Sequence, residues 1–134
     1  MDANEIKFFF SGEPRFLGVF ARDEFPDIKE RPSSFILNED TRLLDGSHWV
    51  AIYVGKHTTE YFDPYGLPPR FSDTIKSLWK LGNPISYNDK VIQSVSSYSC
   101  GLFSTHYLKN RLNGISPCQI LETFCHPECN DYMV

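Results

Sequence analysis

Cys100 is followed directly by Gly101, at the point where a helical pattern opens, and three residues able to support a thiol precede it in the order His48, Asp63, Gln93. A thiol becomes an effective nucleophile as its pKa falls. A helix N-terminus brings this about, because unpaired backbone N–H groups and the macrodipole favour the thiolate. Gly101 presents no Cβ where a substrate backbone must approach, and it leaves nearby N–H groups open to a developing oxyanion. A lone cysteine at such a junction is otherwise a small buried hydrophobe, so its meaning depends on its neighbours.

His48 opens the run His48-Trp49-Val50-Ala51-Ile52-Tyr53-Val54, and Thr59-Glu60-Tyr61-Phe62-Asp63 follows the loop Gly55-Lys56-His57-Thr58. This is the pattern of a β-hairpin with a four-residue loop. Pairing Val54 with Thr59 sets His48 opposite Tyr65 and makes Asp63 its diagonal neighbour on the same face, with backbones roughly 7–8 Å apart. An imidazole and a carboxylate can meet across that gap. Such a pair fixes the tautomer and stabilises an imidazolium, as a Cys–His ion pair requires. A salt bridge at a sheet edge has the same residues, and a one-residue slip would put them on opposite faces. Gln93, seven residues before Cys100, sits on a segment read as a strand over residues 90–95, from which its amide can donate toward an oxyanion beside the sulfur. Trp49, next to the base, is placed to shield it or bind substrate, or to serve as plain core.

These motifs resemble adenain, the adenovirus-type cysteine endopeptidase, and more loosely the SUMO- and ubiquitin-like-protein proteases of the same clan. The resemblance is carried by His48-Trp49, by Phe62-Asp63-Pro64-Tyr65-Gly66, by Gln93 ahead of Cys100-Gly101-Leu102-Phe103, and by Phe16-Leu17-Gly18-Val19-Phe20 with Phe25-Pro26. It implies that His48 is the base, Asp63 its orienting acid, Gln93 part of the oxyanion hole and Cys100 the nucleophile; Trp49 and Gly101 are read against substrate from their positions beside the base and the thiol. It further implies an endopeptidase that cuts precursor proteins near glycine, of a virus or virus-like element. The alternatives are an isopeptidase removing ubiquitin-like modifiers and a catalytically silent binding module on the same fold. Adenain carries Glu where this chain has Asp63. Adenain is also longer and basic, is stimulated by nucleic acid and is linked by a disulfide to an activating peptide. This chain has a net charge of −4 and no cysteine before Cys100, so neither charge nor cysteine pattern supports a nucleic-acid or activating-peptide partner here.

The elements that must hold these residues follow from pattern. With 134 residues, 41% hydrophobic and 15% aromatic, residues 1–134 are expected to form a single domain with ample apolar surface for one core. Phe16–Phe20 and Ser34–Leu37 read as strands, separated by a Pro- and charge-rich loop in an otherwise irregular first third. A helix is expected behind Ser72 as N-cap, with Phe71, Ile75, Leu78 and Trp79 as its apolar face. Another runs from Cys100 to about Leu112 and stops at Gly114, and a last one starts at Ser116 with Pro117 in its first turn and Gln119 completing a capping box. The fold class is α+β, a central mixed or antiparallel sheet flanked by helices, with the nucleophile at a helix N-terminus.

No run approaches the roughly 20 apolar residues of a membrane span, and the opening residues lack the form of a signal peptide. A soluble, intracellular protein is expected, in host nucleus, cytoplasm or virion if viral. Cys100, Cys118, Cys125 and Cys129 read as reduced thiols, and the last three with His126 fit no common zinc spacing, so no metal or cofactor is expected. His57 reads as a solvated turn residue. His106 lies six positions along the helix from Cys100, about 240° around it, facing away from the thiol.

Overall fold

The computed structural model describes residues 2–39, 48–92 and 100–124. Its centre is a five-stranded mixed sheet whose spatial order matches the chain order: β1 (Phe16–Ala21), β2 (Ser33–Asn38), β3 (Trp49–Val54), β4 (Thr59–Phe62) and β5 (Ile85–Tyr87). The outer pairs β1–β2 and β4–β5 are parallel, and the inner pairs β2–β3 and β3–β4 are antiparallel. Every residue of β2, β3 and β4 is buried. Both sheet faces are covered, which is why β3 reads as a continuous apolar run instead of an alternating one.

Three helices cover one face: α1 (Ala3–Phe9), α3 (Cys100–Leu112) and α4 (Pro117–Glu122). There Ile6, Phe10, Phe103, Tyr107, Leu108 and Ile120 pack on Trp49, Ala51, Tyr53 and Phe62. Phe62 and Tyr107 stack with ring centroids 4.3 Å apart. On the other face α2 (Ser72–Trp79) sets Leu78 against Phe35, Leu37, Val50, Ile52 and Tyr61. The α+β class and the helix that begins at Cys100 are as the sequence implies. Gly114, at φ +85°, ends α3 in the left-handed region that glycine enters without strain. Ser116 and Gln119 form the capping box of α4.

Some expectations are corrected. The first third is not irregular, because Asp2 caps α1, Glu5 completes a capping box, and Ile6 and Phe10 bury one face. Phe71, not Ser72, is the N-cap of α2, and Asp73 instead accepts the Thr74 N–H at 2.9 Å. The buried face of α2 is Thr74 and Leu78, while Trp79 projects outward. Of the strand expected at residues 90–95, Lys90–Ile92 lies outside the sheet and residues 93–95 lie outside the described residues; the strand beside β4 is Ile85–Tyr87. No helix among the described residues is long and apolar enough to cross a membrane.

Candidate active site

The β3–β4 register pairs Val54 with Thr59 and Ala51 with Phe62. The loop closes through Gly55 N–H to the Thr58 carbonyl at 2.9 Å. Continued past the strand ends, that register brings His48 over Tyr65, and their rings stack with centroids 5.2 Å apart. His48 Nε2 lies 3.1 Å from Asp63 Oδ2. Asp63 is 1% exposed and His48 is also buried, so this contact is shielded from bulk water.

The carboxylate is held from several sides. Tyr65 N–H donates to Asp63 Oδ1 at 2.8 Å, which directs Oδ2 toward the imidazole. Asn88, just past β5, clasps the Asp63 backbone: its Oδ1 accepts the Asp63 N–H at 3.0 Å, and its Nδ2 donates to the Asp63 carbonyl at 2.7 Å. The clasp extends the β4–β5 ladder by a side chain where strand pairing ends. Gly66 N–H then returns to the Asp63 carbonyl at 2.8 Å. Gly66 is at φ +73°, and a Cβ there would come within 3.0 Å of the Lys90 carbonyl group, so the turn admits only glycine without displacement. Ile92 N–H donates to the Pro64 carbonyl at 2.9 Å, tying the chain that leads toward Cys100 back to the acid's loop.

Cys100 is the first residue of α3 and is 3% exposed. The Trp49 backbone N–H donates to its Sγ at 3.4 Å. His48 hydrogen-bonds both Asp63 and Cys100. Burial alone would disfavour the imidazolium, but the Asp63 hydrogen bond, followed by the hydrogen bond and charge of Cys100, outweighs it and pushes the His48 pKa up to about 9. Asp63 and Cys100 thus flank one imidazole that is protonated at neutral pH.

The structure therefore brings together three of the residues singled out in the sequence: His48, Asp63 and Cys100. Gln93 lies outside the described residues, as do Cys125, His126 and Cys129. Gly101 is buried in the first turn of α3. Trp49, 7% exposed, belongs to the core cluster with Cys100 and Phe103 and meets the sulfur through its backbone N–H. His57 is exposed, and His106 meets Phe124 edge-on. Cys118 is exposed and, like Cys100, forms no disulfide among the described residues.

Two contributors escaped the sequence reading. Asn88 is one. The other is Glu39, opposite His48 on the β2 side, whose N–H donates to the His48 carbonyl at 2.9 Å. Its buried carboxyl accepts from Thr74 Oγ1 at 3.0 Å, and burial raises its pKa against the hydrogen bonds of Thr74 and Tyr61.

No protein-family model matches the chain, and no curated protein does. Solved structures do. One crystal structure of the ASFV pS273R protease superposes with a TM-score of 0.65 at 19% identity, over 97% of this chain and 62% of that one. The fold is one that a protease uses. The selenomethionine form of the same protease gives a TM-score of 0.56 at 25% identity, over 76% of this chain and 43% of that one. The chain thus spans less than two thirds of the length of the protease it matches.

Proposed function

We propose that the protein is a cysteine peptidase in which Cys100 attacks the scissile carbonyl, His48 carries the proton and Asp63 orients His48. The observation that carries this reading is the buried imidazole held between Asp63 and a cysteine at a helix N-terminus. The likeness to the ASFV protease supports it at the level of fold.

The chemistry follows from the geometry. Asp63 holds Nε2, which leaves Nδ1 for the thiol. The thiolate adds to the substrate carbonyl carbon, forming a C–S bond and an oxyanion. The imidazolium then gives its proton to the amide nitrogen as the C–N bond breaks, and the amine leaves. Neutral His48 next takes a proton from water, the hydroxide adds to the thioester, and the C–S bond breaks to release the acid and restore the thiolate beside the imidazolium. Gln93, with the N–H groups at the start of α3, is the proposed oxyanion donor. By the motifs shared with adenain, the substrate is a precursor polypeptide cut near glycine, in a virus or virus-like element, and the 134 residues act as one domain.

A peptidyl vinyl sulfone tests the reading. It should alkylate Cys100 in the parent protein and leave a His48→Ala variant unlabelled at neutral pH. Labelling elsewhere, or equal labelling of the variant, would overturn the assignment. A ubiquitin-family vinyl sulfone run beside it should label poorly, and preferential labelling would move the reading to an isopeptidase.

A further inference from the structure

We infer that Ser104 is a positioning residue for the Cys100 sulfur, an inference that rests on the proposed peptidase reading for its functional meaning. Ser104 lies one turn after Cys100 on α3, so the two side chains share a face. Both engage the same strand residue. Cys100 Sγ accepts the Trp49 N–H at 3.4 Å, and Ser104 Oγ donates to the Trp49 carbonyl at 2.9 Å. Ser104 is fully buried, so bulk solvent does not reach that bond.

The peptide that supplies the Trp49 N–H also contains the His48 carbonyl, which accepts from the Glu39 N–H at 2.9 Å. One peptide plane therefore links the base to the nucleophile, with Glu39 on one edge and Cys100 on the other. Ser104 secures the next peptide along β3. Together the bonds set the height of the first turn of α3 along the strand, and with it the distance from sulfur to imidazole. An N–H aimed at sulfur favours the charged form of a thiol, as hydrogen bonds to the ionised state do generally. Removing the hydroxyl frees the Trp49 carbonyl and loosens that donor. An ordinary buried serine would affect stability alone.

The test compares Ser104→Ala with the parent by three readouts. The first is the rate of Cys100 alkylation by iodoacetamide against pH, which requires no turnover. The variant should react about 5-fold more slowly at pH 6, the factor of one ordinary hydrogen bond, and at the parent rate at pH 10. The second is peptide cleavage, where kcat should fall by a similar factor with KM unchanged. The third is hydrogen exchange at the Trp49 amide, which should speed up relative to the Val50 and Ile52 amides. A folded variant with the parent's alkylation curve and kcat overturns the inference. If the parent cleaves no peptide yet the alkylation curve shifts as stated, the peptidase reading fails and the positioning role stands. Should Ser104→Ala not fold, Ser104→Cys, close in shape with a weaker donor, takes the same measurements, with peptide mapping to separate the two thiols. An unshifted curve there overturns the inference equally.

Discussion

Asp63 reaches His48 across fifteen residues of chain with its carboxylate oxygens divided: Oδ1 accepts the Tyr65 N–H at 2.8 Å, and Oδ2 meets His48 Nε2 at 3.1 Å. The division fixes the carboxylate before any proton moves. It also separates the acid's task from the base's, and the two should fail differently on substitution.

His48→Ala removes the group that transfers the proton, so cleavage should fall by 1,000-fold or more, while Asp63→Asn should cost about 10- to 100-fold because it disturbs tautomer and orientation only. Steady-state kinetics on the folded variants decide this. A His48→Ala protein with near-parental kcat/KM would contradict the assignment.

The raised pKa of His48 makes stability depend on pH. Its folded value of about 9 lies above its ordinary 6.5, so the imidazolium contributes fully below about pH 6.5 and is lost as pH rises through about 9. The loss should be on the order of 3 kcal/mol. Urea midpoints across that range should fall in the parent and stay flat in His48→Gln. The value of kcat/KM should decline through the same window, as the proton destined for the leaving amine disappears.

Glu39 gives a slope of the same sign at lower pH. Burial raises its pKa above the ordinary 4.5, so its contribution is present below about pH 4.5 and is lost as pH rises through the raised value. Glu39→Gln keeps an acceptor for Thr74 without the ionisation cost. It should be as stable as the parent or more so at pH 7, with a flatter profile between pH 4.5 and neutrality in urea titrations.

Asn88→Ala removes both bonds to the Asp63 backbone; the carbonyl keeps the Gly66 N–H, but the buried Asp63 N–H loses its partner, at a cost of about 1–3 kcal/mol. Melting curves should show the loss. Asn88→Asp retains the acceptor for the Asp63 N–H but sets a carboxylate against the Asp63 carbonyl, so it should be no better than alanine.

Much of the site could be read because hairpins are local. The four-residue loop fixed the register, and the register fixed which face carries His48, Asp63 and Tyr65. The helix at Cys100 and its end at Gly114 were equally legible, since caps and glycine act within a few residues. Asn88 was not, because its role depends on β5 lying parallel beside β4, a pairing that crosses α2 and has no local signal. The fifth strand, three residues long, is too short to show a period, and the apolar run after it looked more strand-like. In α1 the capping residues Asp2 and Glu5 were visible, but Phe8-Phe9-Phe10 blurs the helical period, and only Phe10 of the three is buried. Ser104 and Glu39 acquire meaning only when α3 and β2 lie against β3.

The far end of α3 carries an ion pair of its own: Arg111 grips Glu60 of β4 through two bonds of 2.9 and 3.0 Å, and Tyr107 adds a third at 2.6 Å. Arg111 stands eleven residues from Cys100, about 16 Å along a helix. The helix is thus a rigid rod pinned at its tail, with the sulfur at its tip. A tilt of about 4° at the pin swings the tip by about 1 Å, a misplacement that can cost on the order of 100-fold in rate. Glu60 and Arg111 lie far from Cys100, yet on the proposed peptidase reading changes there would aim or misaim the sulfur, leaving reactivity adjustable by substitutions remote from the site.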